Sequence, residues 1–189
     1  MKPWQLLSVL LQYPDGDLEP AREQLAAAAA PYPHVRRFLE RWTEPLAERQ
    51  QAYVQAFDFD RRASLHLTYH TAGDRRQRGL ELVRLKRRYA EAGLELDPGE
   101  LPDYLPAMLE FAAISPDAGE ALLNEHRPAI ELVRARLHER GSVYAALLDA
   151  LAAALPRATR AQLERARRAA AEGPPDELVG LESFALEKA

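Results

Sequence analysis

Cysteine is absent from the 189 residues. Its absence removes disulfides, thiolate metal sites and cysteine nucleophiles together, and it suits a reducing compartment, so a cytoplasmic location is expected. Long apolar runs are missing too: no segment approaches the roughly 18 consecutive apolar residues that a membrane helix needs. The opening MKPWQLLSVLLQYPDGD has a short apolar run, carries Gln5 and Gln12, and shows no small-residue cleavage site, so it does not read as a secretory signal. A basic excess is also lacking. The formal net charge is −4, against the positive balance usual for a chain that lives on nucleic acid. The nucleophile elbow, the P-loop and the dinucleotide glycine fingerprint do not occur, and Asp58, Asp60 and Asp74 are too scattered to read as a carboxylate pair. Nothing argues for catalysis, and no cofactor is expected.

What is present is helical pattern nearly throughout. Hydrophobic residues make up 47% and charged residues 29%, the balance of a globular chain with a sizeable core and a solvated exterior. Trp4, Leu7, Leu10 and Leu11 recur at helical spacing until Pro14 and Gly16. Helices are expected over 18–30, 34–42 and 45–57, the last with Thr43 as cap and Pro45 in its first turn. A long helix should run from an Asp74 cap to about Ala92, stopped by Gly93. In LPDYLPAMLEFAA, Asp103 reads as a cap, Pro106 as a first-turn residue, and Leu105, Met108, Leu109 and Ala112 as a buried stripe. Ser115-Pro116 opens another helix, and 127–138, 143–155 and 159–171 complete the set. The expected fold is all-α, a single bundle of about eight to ten helices over residues 1–172. Gly-Pro-Pro at 173–175 ends it, and 173–189 reads as an acidic tail carrying Leu178, Leu181, Phe184 and Leu186, either flexible or docked on the bundle.

One region has no clean period. In SLHLTYHTAGDRRQRG, Leu65, Leu67 and Tyr69 alternate with His66, Thr68 and His70, so the segment reads as a loop or a short helix. On a helix His66 and His70 would share a face and could reach one metal ion. Hydrolytic zinc helices carry a glutamate after the first histidine, however, and here that residue is Leu67. A third ligand would have to come from His34, His126, His138 or a carboxylate. If the segment is extended, the two rings lie ~13 Å apart and cannot chelate. From Asp74 to Tyr89 the chain carries seven basic residues against Asp74 and Glu81, so a nucleic-acid reading rests on the helix 75–88. The alternative is a solvated face paired with acidic neighbours, with Leu80, Val83, Leu85 and Tyr89 as its buried side. Gly79, inside that helix, costs about 1 kcal/mol against alanine. It points to a close approach by another backbone or a ligand, simple helix packing being the plainer cause.

A binding bundle remains. Pro102 and Pro106 bracket a corner that holds Asp103 and Tyr104, with Glu110 just beyond. The aromatic-rich stretch FDFDRRASLHLTYH precedes the basic helix. Together the two blocks suit an apolar groove with a charged rim, the layout of a helix-in-groove peptide site. The same aromatics also suit a plain core, and the pattern alone does not choose.

The run YVQAFDFDRRASLHLTYHTAGDRRQRGLELVRLKRRYAEAGLEL, followed by ELPDYLPAMLEFAA, resembles the nitrate reductase assembly chaperones, the NarJ or delta subunit family, which groups with the TorD and DmsD chaperones of molybdenum enzymes. The similarity is close over about residues 53–113, and LLSVLLQYPD is typical as well. His66 and His70 stand where the family most often has aromatics, which favours ring-shaped filler or groove lining over chelation. The resemblance implies a TorD-like bundle and no enzyme. It implies a cytoplasmic chaperone that binds the N-terminal segment of the apo catalytic subunit of respiratory nitrate reductase, competent for molybdenum cofactor insertion. The implied partners are that subunit and the cofactor-insertion machinery. In this reading Asp103, Tyr104 and Glu110 organise the corner. Phe57, Phe59, Leu65, Leu67 and Tyr69, with His66 and His70, form the client wall. Asp74, Arg75, Arg78 and Gly79 fix the long helix and its rim charges.

Overall fold

In a computed structural model, residues 2–18, 20–72 and 75–172 are described. Ten α-helices follow one another among them: α1 (Trp4–Leu10), α2 (Arg22–Ala29), α3 (Pro33–Arg41), α4 (Leu46–Tyr53), α5 (Arg75–Glu91), α6 (Leu105–Ile114), α7 (Pro116–Glu125), α8 (Arg127–Glu139), α9 (Ala145–Ala154) and α10 (Arg160–Glu172). The fold is an all-α bundle, as the periodicity requires. The expected tail, 173–189, and the expected cap Asp74 lie outside the described residues.

Helices α1, α6 and α9 meet at the centre. α1 lies on α6 and α9, α3 on α9, α6 on α7, and α8 between α9 and α10. Leu7, Leu10, Leu11, Phe38, Met108, Leu109, Leu122 and Leu148 are essentially shut off from water. Each contributes about 1.5–3 kcal/mol by leaving water. α6 and α7 approach closely: a Cβ built on Gly119 would sit 2.2 Å from the Ala112 Cα, so only glycine permits that approach.

Several boundaries differ from the sequence reading for local reasons. α2 begins at Arg22 rather than Leu18, because Pro20 intervenes and residues 16–18 form a separate 3₁₀ turn. Thr43 does not cap α4. The position before the helix is Pro45, at ψ 152°, so the helix starts at Leu46 and Thr43 is out of reach. α4 then runs into a π-helical turn, Val54–Asp58, that turns Ala56 and Phe57 inward.

α5 departs most from expectation. Leu85 and Tyr89 are buried, but Leu80 is 60% and Val83 66% exposed. The helix rests on the bundle along one narrow stripe, and the other apolar residues face water. A Cβ at Gly79 would meet nothing within 4 Å, so among the described residues the expected close contact is absent. Gly93 does end the helix, at φ +76°. The Gly93 amide donates to the Ala90 carbonyl and the Leu94 amide to that of Tyr89, at 2.9 Å each, which closes a Schellman motif.

Candidate functional site

The ambiguous segment 64–72 resolves into two short pieces. Leu65–Leu67 is extended, and Leu67–His70 is a 3₁₀ turn. The extended piece pairs with the corner before α6 through an antiparallel bridge between His66 and Tyr104. The Leu67 amide donates to the Asp103 carbonyl at 2.9 Å, and the Leu105 amide donates to the Leu65 carbonyl at 2.8 Å. The alternation in the sequence is therefore real but only three residues long.

Asp103 is the centre of the site, and it is not a helix cap. Tyr104 occupies the position before α6, and its side chain makes no capping bond. The Asp103 side chain is instead fully buried. It accepts a 2.5 Å hydrogen bond from the Thr68 hydroxyl. His66 Nδ1 lies 3.2 Å from its other oxygen, and Arg78 reaches it from α5 at 3.4 Å. Burial pushes the carboxyl up, but the bonds from His66 and Thr68 and the Arg78 charge outweigh it and hold the group below the usual carboxylate range. Arg78 also donates to the Thr68 oxygen at 3.3 Å and stands over the Tyr69 ring.

The rest of the corner is tied as firmly. The Tyr89 hydroxyl on α5 donates to the Pro102 carbonyl at 2.8 Å. The Tyr104 hydroxyl lies 3.1 Å from that of Tyr53, which in turn donates to the Leu11 carbonyl at 3.2 Å. The His66 ring stacks at a tilt on Tyr104, centroids 5.3 Å apart. Pro106 sits in the first turn of α6 and is itself buried. Glu110, expected to help organise the corner, is exposed on α6.

The other expected site residues divide by exposure. Phe57, Leu65 and Leu67 are core, so the apolar contact expected from them is not offered to a partner. Phe59 is 79% exposed, Tyr69 is half-buried, and Arg75 opens α5. The two histidines are separately employed. His66 faces Asp103, whereas His70 Nε2 donates to the Ser64 carbonyl at 2.8 Å. Burial depresses the His70 pKa and favours the neutral ring. Among the described residues no three His, Asp or Glu side chains gather at a distance that would hold a metal. On α5, Arg84 pairs with Glu81, Arg87 with Glu91, and Arg88 with Glu125, the acidic pairing that competes with the nucleic-acid reading.

Sequence reasoning passed over Asp60. It takes the Arg62 amide at 3.1 Å and the side chains of Arg136 and Arg140 at 2.6 and 2.9 Å, fastening the segment before the site to the end of α8. Its available signal was its place before a turn, where aspartate bonds to the amide two residues on.

On the outer side of the corner lies a ledge of aromatic and acidic groups. The exposed Tyr13 ring meets Tyr53 edge-on at 5.5 Å. Burial raises the Tyr104 pKa, and Glu100 and Asp58 lie close enough to add to that. Glu100 is itself pushed up by burial, then by Asp97 and Glu110 beside it. No helix among the described residues is long and apolar enough to cross a membrane.

Fold and site together define a helical bundle whose buried ionisable cluster is closed into its own hydrogen bonds. The nitrate reductase delta subunit family matches residues 17–150, and the chain belongs to it. A probable nitrate reductase molybdenum cofactor assembly chaperone, NarJ of Bacillus subtilis, is 40% identical over 104 residues, 54% of this chain and 56% of that protein. The nitrate reductase-like protein NarX of Mycobacterium tuberculosis is 41% identical over 147 residues, 75% of this chain but 22% of its own length. The probable chaperone NarW of Escherichia coli is 37% identical over 155 residues, 80% of this chain and 67% of that protein. The chain thus spans little more than half of the Bacillus relative and under a quarter of the mycobacterial one.

Proposed function

We propose that the protein is a cytoplasmic chaperone of nitrate reductase assembly and not an enzyme. It binds the N-terminal segment of the apo catalytic subunit and keeps that subunit open to molybdenum cofactor insertion, the cofactor-insertion machinery being its second partner. Membership of the delta subunit family, with relatives named as assembly chaperones, carries this reading. The ledge outside the corner supports it physically. Tyr13 and the half-buried Tyr104 offer aromatic surface, and Asp58, Glu100 and Glu110 set acidic groups around it. Such a surface suits a basic amphipathic segment, whose apolar side covers the rings while its cations meet the rim. The Asp103 cluster then acts behind the ledge, fixing Tyr104 and the start of α6.

Titration calorimetry of the full chain with a synthetic peptide of the catalytic subunit's N-terminal segment is the test. Saturable binding is expected, weakened about tenfold or more when Glu100→Lys and Glu110→Lys are combined, and weakened by salt. A wild-type chain that takes up no peptide rejects the reading. Binding that ignores both charge reversals moves the client off this ledge.

A further inference from the structure

A second surface lies on the opposite face of the 61–70 segment, where α8 and α10 leave a groove of about 460 Å³, within the rough range of ligand pockets. Its floor is apolar: Leu132 and Ala135 of α8, Leu163 and Ala166 of α10. Leu163 is 38% exposed there. The rim charges are unequal in how they are satisfied. Glu131 is engaged by Arg127 and Arg134, while Arg136 divides between Asp60 and Glu139. Arg62 and Arg167, also on the rim, have no ion-pair partner among the described residues. Among the described residues the groove therefore combines an apolar floor, exposed at Ala135 and Leu163, with two unanswered positive charges.

We propose that this groove is the docking site of the chain's own residues 173–189. That segment follows directly on α10, whose residues Leu163, Ala166, Arg167 and Ala169 line the groove, and it begins Gly-Pro-Pro. Proline after a helix end prevents continuation along the same axis. The segment carries Leu178, Val179, Leu181, Phe184 and Leu186 with four carboxylates, Asp176, Glu177, Glu182 and Glu187, against one cation, Lys188. Apolar side chains meet the floor, and carboxylates meet Arg62 and Arg167. Tethering makes the encounter intramolecular, at an effective concentration of about a millimolar for a short linker, so even modest affinity keeps the groove filled. The contact would clamp α10 to α8 and would leave the acidic ledge at the corner untouched.

The absence of cysteine allows a direct test on the full chain. Ser183→Cys carrying a nitroxide should broaden the amide signals of Ala135 and Ala166 and leave that of Val83 on α5 unaffected. Combining Arg62→Glu with Arg167→Glu, or introducing Phe184→Glu, should abolish the broadening while the remaining spectrum stays in place. No broadening at the groove overturns the proposal, and so does broadening centred on α5. Mixing spin-labelled copies with isotope-labelled copies that lack the nitroxide identifies the source. Groove broadening in that mixture means a second copy is the occupant, and the intramolecular proposal fails.

Discussion

Replacing Asp103 by alanine distinguishes a helix cap from a buried hub. A lost cap costs about 1 kcal/mol. The observed surroundings imply more. The Thr68 hydroxyl is fully buried, and it loses a charge-assisted bond with no water to replace it, about 1.5–3 kcal/mol. His66 and Arg78 are 37% and 28% exposed, so water partly compensates them and each adds no more than about 1 kcal/mol. The sum is about 1.5–5 kcal/mol. Urea unfolding followed by far-ultraviolet circular dichroism measures it. A double-mutant cycle with Thr68→Val should give a coupling of at least about 1 kcal/mol, and the cycle with Arg78→Ala less. The carboxyl is held below its ordinary value of 3.8. Its stabilisation is therefore complete above that pH and is lost as pH falls through the lower, folded value; Asp103→Asn should lack this acid-dependent share. A cost near 1 kcal/mol with no coupling to Thr68 would refute the hub.

Two glycines should respond with opposite signs. Gly79→Ala should stabilise by about 0.5–1 kcal/mol, since its surroundings are open and it lies within a helix. Gly119→Ala should destabilise by more than that, because its methyl meets the α6 backbone; parallel thermal melts decide. Burial lowers the pKa of both His70 and His126 from 6.5. Each resists protonation when folded, so stability falls as pH drops below 6.5 toward the folded values, by at most about 1.4 kcal/mol per pH unit per group. His70→Gln combined with His126→Gln should flatten urea midpoints measured between pH 7 and 5, and an unchanged slope contradicts their burial as neutral rings.

Local grammar made the helices readable. Pro106, Pro116 and Gly93 act within a turn of themselves, and the α6 stripe of Leu105, Met108, Leu109 and Ala112 is buried as its spacing requires. The site was legible only as an address. Asp103, Tyr104, His66 and Arg78 were singled out, but Asp103 read as a cap, because its side-chain partners are 25 to 37 residues away. The α5 face misled for a related reason. Leu80 and Val83 fit a buried stripe by period, but burial depends on what stands opposite, and nothing among the described residues covers them. Gly79 and Gly119 look alike in sequence, and only the Ala112 backbone beside one of them separates their roles.

His66 and Asp103, 37 positions apart, pin together the ends of a chain loop. Closing a loop of that length costs about 3 kcal/mol of chain entropy, which the bonds at the knot must offset. α5 lies wholly inside this loop and touches the bundle along a single stripe. Loosening Thr68 or Asp103 would accordingly free the helix as one piece, like a strut unlatched at its foot, while the α1–α6–α9 core stayed shut. Amide exchange in α5 should then follow the strength of the knot more closely than it follows the global stability of the bundle.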